Sequence, residues 1–364
     1  NRAKPAGIPN SERARMNHPT RQHLGLVAVL AAVLSLFGPA LAQEEGASPT
    51  LDQITAAWLA SPHADRSSGS FTHWDDDGEI PGSCAVCHSS TGAIDYMAGR
   101  MSTPGILDHP VPLGTVVECD VCHGPAAAAL TAVPFPSGVT VDGFGTSATC
   151  AVCHQGRASA DTVRAAVGDL AEDAVSGDLS FINIHYSASA ATLMGAAVHG
   201  GYEYGGKSYQ GQFAHVPGFG TCVECHLPHS LDVSRENCVA CHQNAADFSA
   251  IRLSVQDYDG DGNVAEGIAD PIATLHERLY AAIRDYAASV AGTPIIYANA
   301  YPYFFIDGDG DGAVTEGEAA YPNRYQSWTP RLLQAAYNYQ FVAKDSAAYD
   351  HNPRYALQLH FDSL

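Results

Sequence analysis

The sequence predicts a mainly α-helical and irregular fold. Its long first part holds little regular structure beyond a small β-hairpin, and a helical domain with two acidic loops closes it. Three observations carry this reading. Cysteine occurs only inside a pentapeptide repeated five times between Cys84 and His242. The segments between the repeats are rich in Gly, Pro and Ala and poor in helical periodicity. After His242 the cysteines stop, and capped segments with apolar 3.6-residue spacing begin.

The repeats are Cys84-Ala-Val-Cys87-His88, Cys119-Asp-Val-Cys122-His123, Cys150-Ala-Val-Cys153-His154, Cys222-Val-Glu-Cys225-His226 and Cys238-Val-Ala-Cys241-His242. Each is C-x-x-C-H, the attachment signature of c-type haem. The two thiols form thioethers to the porphyrin, and the adjacent imidazole becomes the proximal iron ligand. All ten cysteines are consumed this way. Zinc ribbons pair C-x-x-C units without a histidine after each, and a redox dithiol occurs once rather than five times. Disulfides would not set a histidine at one fixed offset five times. The cofactor implied is five haem c.

With 364 residues the chain is long enough for two or three domains. Met16–His23 is short and basic, Leu24–Phe37 is apolar apart from Ser35, and Ala40-Leu41-Ala42 is a small-x-small cleavage site. This reads as a secretory signal, preceded by an upstream extension over residues 1–15. The apolar run of 14 residues is short for a membrane span. The chain remaining after Ala42 is expected to be exported and soluble, in the periplasm or outside the cell. It keeps 13 basic and 38 acidic residues, a formal charge of −25. That field disfavours nucleic acid and anionic lipid as partners. The domains expected are 1–42 as extension and signal, 43–245 as a haem-cored domain, and 246–364 as the helical domain.

Taken in order, Leu51–Ala60 has Leu51, Ile54 and Trp58 on one helical face. Between the third and fourth motifs, Asp161–Ala174 reads as a helix, and Phe181–Tyr186 as an extended or helix-entry segment. Gly201–Tyr209 reads as a hairpin with aromatic residues on both sides of a Gly-Gly turn. Five flat apolar cofactors would stand in for much of the side-chain core in this region. Further on, Asp270 caps a helix with Pro271 at its first position and Gly292 at its end, and Ile272, Leu275, Leu279, Ile283, Tyr286 and Val290 form its apolar face. Thr329-Pro330 opens a helix running to about Lys344, and Asn352-Pro353 opens the last.

The sixth coordination position of each iron decides between electron transfer and catalysis. Ten histidines stand outside the motifs and the signal, and Met97, Met101 and Met194 are the thioether alternatives. His229 is the leading distal candidate, because it follows a proximal ligand by three residues in His226-Leu-Pro-His229. His63, His185 and His215 lie in turn-rich sequence before or between motifs, and His351 precedes the terminal helix. His73 is the competing candidate. His109, His199, His276 and His360 read as structural or exposed.

The chain resembles a family of secreted multihaem cytochromes c over nearly all of its mature length. The residues that carry this include His63-Ala-Asp-Arg66, Phe71–Trp74, Ser83–His88, Phe181–Tyr186, Val216–Phe219, His226–His229, Asp257–Gly262, Tyr301–Phe304, Ala335–Tyr339 and His351–Tyr355. The resemblance implies extracytoplasmic electron transfer and favours His63, His185, His215, His229 and His351 over His199. It carries no substrate.

Asp307, Asp309, Asp311, Ala313 and Glu318 fall at positions 1, 3, 5, 7 and 12 of an EF-hand-type loop, with Gly312 at position 6. A second loop starts alike with Asp257, Asp259, Asp261, Gly262 and Asn263 but has Ile268 at position 12, where Glu266 or Asp270 would have to substitute. One Ca2+ is expected in the former and a second in the latter, both structural. The leading reading is a relay of single electrons between redox partner proteins or to an extracellular acceptor. The alternatives are a reductase or oxidase of a small nitrogen or sulfur species at one open haem, and a protomer of an extracellular cytochrome filament.

Overall fold

The computed structural model describes residues 48–103, 105–243 and 247–364. The signal expected over residues 1–42 lies outside them. The described chain is mainly helical and irregular, with three two-stranded antiparallel sheets. No helix among the described residues is long and apolar enough to cross a membrane. Leu51–Leu364 clusters as one unit.

Helix Leu51–Leu59 buries none of its residues, and its Trp58 indole N–H donates to the Val117 carbonyl at 2.9 Å. Four of the haem motifs sit in helices of one or two turns: Gly82–His88, Cys119–His123, Ala148–Cys153 and Cys222–Cys225. The fifth begins in Arg235–Val239 and runs into a turn. One helical turn suits the motif, because residues three and four apart share a face. Both cysteines and the histidine are thereby presented together. None of the ten cysteines is disulfide-bonded.

The sheets are small. Glu79–Ile80 pairs with Val111–Pro112, Ala132–Pro134 with Thr140–Asp142, and Ile295–Tyr297 with Phe304–Ile306. The hairpin expected at Gly201–Tyr209 does not form. That backbone is bonded to side chains of the C-terminal helices instead. Gly201 N donates to Tyr355 Oη at 2.9 Å, Tyr202 N to Asn338 Oδ1 at 2.6 Å, and Gln210 N to Gln358 Oε1 at 2.7 Å. Gly201 permits this approach, since a Cβ there would lie 2.4 Å from Leu359 Cδ1. Aromatic alternation resembles a strand in sequence, but the aromatics here pack onto a helix.

The helix expected over Asp161–Ala174 is cut to Ala160–Val167. Ser159 and Thr162 form its capping box, and Gly168, at φ 49°, ends it. The following acids are drawn into tertiary ion pairs, Arg331 holding Glu172 and, at 2.7 Å, Asp173.

The C-terminal helices are Ala269–Ser289, Pro330–Ala343 and Pro353–Ser363. The first buries Ile272, Leu275, Leu279 and Ile283, but Val290 is half exposed beyond its end. Thr329 caps the second through Leu332 N, and Asn352 caps the third through Tyr355 N, each at 3.1 Å. The largest fully buried side chains are Trp328, Tyr337 and Tyr355, with Phe304, Phe305 and Phe341 beside them in this region. Each contributes roughly 1.5–3 kcal/mol by burial. The chain between the third and fourth motifs is knitted into the same core. Ile184 N donates to Gln340 Oε1 at 3.2 Å, the Tyr337 hydroxyl to the Gly200 carbonyl at 2.9 Å, and Phe181 stacks on Trp328 at 5.7 Å. The helical core thus holds the segment that carries His185.

Candidate haem-binding sites

Every motif histidine faces one other histidine. His88 faces His185 with ring centroids 6.0 Å apart, and His123 faces His229 at 6.0 Å. His154 faces His63 at 6.3 Å, His226 faces His351 at 6.4 Å, and His242 faces His215 at 6.0 Å. Five of the six distal candidates are therefore brought to a motif, one each. His73 is exposed instead and packs edge-on against Trp74 at 4.8 Å.

The common spacing tests whether the residues fit an iron. An imidazole nitrogen binds a first-row metal at about 2 Å. Two such bonds in line, plus roughly 1 Å from each nitrogen to its ring centre, give about 6 Å between centroids. The five pairs lie at that separation. The donor set is two imidazoles with two thiols beside them, which is the set haem c requires.

The surroundings favour neutral rings. Burial pushes His63 down to about 4, aided by His154, and pushes His185 down to about 4, aided by His88. Burial also lowers His88 and His154. A metal ligand must be deprotonated at the coordinating nitrogen, so these shifts lower the cost of binding. His351 differs. Burial works to lower it, but the Asp345 carboxylate, with Asp350 and Cys222 adding to it, holds it above its ordinary value.

The second ring nitrogen of several histidines is fixed by a hydrogen bond, which sets ring orientation and ligand basicity. His88 Nδ1 meets the Ser70 carbonyl at 2.7 Å, and His226 Nδ1 the Leu231 carbonyl at 3.0 Å. His351 Nδ1 meets both oxygens of Asp345, at 2.9 and 2.8 Å. Two of these sites also use strained backbone. Leu231 has φ 69° and His185 has φ 70°, with Asn183 Oδ1 accepting from His185 N at 2.9 Å. Non-glycine residues hold such angles only where the surroundings impose them.

The motifs are arranged in space in an order the sequence does not show. Cys87 Sγ reaches the Cys153 carbonyl at 4.0 Å, and Cys153 Sγ reaches the Val86 carbonyl at 3.6 Å. The first and third motifs are thus in direct contact. The Cys150 and Cys222 thiols lie within hydrogen-bond reach, joining the third motif to the fourth. Thr149, in the third-motif helix, donates to Cys122 Sγ of the second at 3.8 Å. Cys238 of the fifth motif is close enough to Cys225 of the fourth to act on it electrostatically. The third motif therefore touches the first, second and fourth, and the fifth lies beside the fourth.

The remaining histidines have other partners. His109 pairs with Asp95 at 3.1 Å and His199 with Glu203 at 2.8 Å. His276 and His360 bond to each other at 3.1 Å inside the helical core. Met97, Met101 and Met194 pack in the apolar core. Sequence reasoning missed the fixing groups: Asp345 and the Ser70 and Leu231 carbonyls. Only Asp345 left a trace, as an acid in the short segment between a helix and His351.

In the acidic loops, one carboxylate oxygen each of Asp307, Asp309 and Asp311 lies within 4.8 Å of the others, and the same holds for Asp257, Asp259 and Asp261. Glu318 curls back across its loop, accepting from Gly308 N at 2.7 Å and Thr315 N at 2.9 Å. The elements flanking this loop are not those of a helix–loop–helix unit, since strand Phe304–Ile306 leads into it. In the other loop Asp259 is 5% exposed and its Oδ2 is buried with no hydrogen-bond partner. Burial, with Asp261 and Asp259 adding to it, pushes Glu266 up.

Comparison with known proteins places the chain beside polyhaem c-type cytochromes. It is 26% identical over 373 residues to the C-type polyheme cytochrome OmcB of Geobacter sulfurreducens, covering 82% of this chain and 46% of that protein. It is also 26% identical over 400 residues to OmcC of the same species, covering 86% of this chain and 48% of that protein. The chain spans about half the length of the curated relatives it matches. No family model matches, and neither does any solved structure.

Proposed function

We propose that the chain is an exported pentahaem c-type cytochrome unit that passes single electrons between extracytoplasmic redox partners. One observation carries the proposal: each of the five motif histidines has a second histidine at iron-bridging distance. When bound, haem c supplies a one-electron iron couple whose potential follows axial ligand, burial and hydrogen bonding. The chain's own part is to hold and insulate. The cysteine pairs would hold each haem covalently, and the paired imidazoles would ligate its iron. The carbonyls of Ser70 and Leu231 and the carboxylate of Asp345 set ring orientation. The thiol contacts bring the first, third and fourth motifs into one row, with the second branching at the third and the fifth beside the fourth.

This pairing speaks against the enzyme reading, which needs one iron without a distal ligand. It also speaks against a filament built on ligands exchanged between chains, because all five partners come from the same chain. Two Ca2+ ions at the Asp307 and Asp257 loops belong to the proposal as structural ions. The unpartnered buried Asp259 Oδ2 supports the second of them.

The test is expression in a host with c-type haem maturation, followed by a pyridine haemochrome count and magnetic circular dichroism of the oxidised protein. Five covalent haems, all low-spin, are expected. Fewer than five, or a high-spin iron in the intact protein, overturns the reading.

A further inference from the structure

Lys344 and Asp345 are consecutive residues at the end of helix Pro330–Ala343, and both are 4% exposed. They bring opposite charges to two different histidine pairs. The Lys344 ammonium lies 3.6 Å from the Tyr186 ring centroid and 4.2 Å from that of Tyr303, and it donates to Asn299 Oδ1 at 3.3 Å. Tyr186 follows His185 in the chain, with ring centroids 6.0 Å apart. The positive charge is thereby packed near His185 and acts on it, in the same sense as Arg157, which acts on His185 more strongly. Asp345 turns the other way, with both oxygens on His351 Nδ1. It also acts on His154, and Asp350 adds negative charge at His351.

Burying an ammonium and a carboxylate costs several kcal/mol each unless something compensates. Solvated residues would close a helix equally well. The placement has a chemical consequence at both sites. A cation near an iron stabilises the form carrying the extra electron. A carboxylate on the far nitrogen of an axial imidazole makes that ligand more basic and stabilises the oxidised form.

We infer that Lys344 and Asp345 bias the row of haem sites in opposite directions, raising the electron affinity of the His88/His185 site and lowering that of the His226/His351 site. The downhill direction then runs from the fourth motif through the third to the first. Asp345 reinforces this by acting on His154, the middle member. The inference rests on the proposal that these histidine pairs hold haem iron.

The test is spectropotentiometric titration of the holoprotein with Lys344→Met and Asp345→Asn, both close in size to the native residue. His185→Met and His351→Met serve as markers, each giving its own haem a thioether ligand and a distinct charge-transfer band. Lys344→Met should lower the midpoint of the His88/His185 haem, and Asp345→Asn should raise that of the His226/His351 haem. Each change should be on the order of tenfold in the ratio of oxidised to reduced haem at fixed ambient potential, ~59 mV for one electron. Asp345→Glu should keep the native midpoint. Shifts of the opposite sign, shifts in the same haem, or no shift overturn the inference. If Asp345→Asn accumulates fewer than five haems, Lys344→Met decides alone. If the marker variants show no thioether band, the histidine-pair reading has failed instead.

Discussion

The histidine pairs differ in one measurable property, the angle between their ring planes. The His123 and His229 rings are nearly parallel, 12° apart, while His88 and His185 are 74° apart. Parallel imidazoles donate into the same iron dπ orbital and split it from its partner, which gives a rhombic low-spin EPR signal. Perpendicular imidazoles leave the two orbitals nearly degenerate, and the signal becomes strongly anisotropic with a large maximum g. The perturbation is His229→Ala in one variant and His185→Ala in another. On the proposed pairing each removes the distal ligand of one haem in five, so each should cut the integrated low-spin signal by about a fifth, with a high-spin signal of equal spin appearing. The two losses should come from different regions of the spectrum. His229→Ala should remove rhombic intensity, and His185→Ala should remove the large-g feature. The assay is liquid-helium EPR of the oxidised holoprotein with spin quantitation. The reasoning is refuted if either variant keeps its full low-spin integral, or if the two lose the same feature.

Calcium removal gives a second prediction. Chelation should lower the melting temperature, since ion at a hundred times its dissociation constant stabilises a fold by about 2.7 kcal/mol. Equilibrium dialysis should find two Ca2+ per chain and one after Asp307→Asn. Trp328 is fully buried, with its N–H donating to the Tyr325 carbonyl at 3.0 Å. Trp328→Ala should cost about 3–5 kcal/mol in denaturant unfolding followed by far-UV circular dichroism. The His276–His360 pair predicts an acid limb. Burial holds His276 down to about 4 and His360 to about 3, with His276 lowering His360 further. Unfolded histidine titrates near 6.5, so below that pH the unfolded chain binds more protons than the folded one. The stability from neutral burial is complete above about 6.5 and is lost as pH falls toward 4, on the order of 3 kcal/mol for His276 alone. Calorimetry across this range should show the loss. His276→Phe, which can keep the stack on Tyr339 at 4.0 Å, should flatten it.

Much of the fold was legible where it depends on neighbours in sequence. Thr329-Pro330 and Asn352-Pro353 open helices because a cap and a proline act within one turn. Asp270 does not cap its helix, which begins at Ala269 and carries Asp270 and Pro271 inside its first turn; the other errors fell where a distant group took over. Gly201–Tyr209 lost its hairpin because Tyr355, Asn338 and Gln358 supply the backbone's partners. The helix after Ser159 stops at Gly168, and the acids beyond it are held by Arg331.

The candidate sites divide along the same line. A haem attachment motif is local, since two thiols and an imidazole at offsets of three and four meet on one helical turn. The sequence by itself therefore located the five motifs proposed to hold haem. It also limited the candidate distal partners to a few histidines, by counting. Which histidine faces which motif was decided only by the tertiary structure. His229 lies three residues beyond His226, yet it faces His123 of the second motif, while His226 is met by His351 from beyond the Pro330–Ala343 helix. The same holds for the charges: Lys344 and Asp345 are neighbours in the chain, and only the packing around the helix end sends one to His185 and the other to His351. Such pairings join residues far apart along the chain, so no local pattern in the sequence records them.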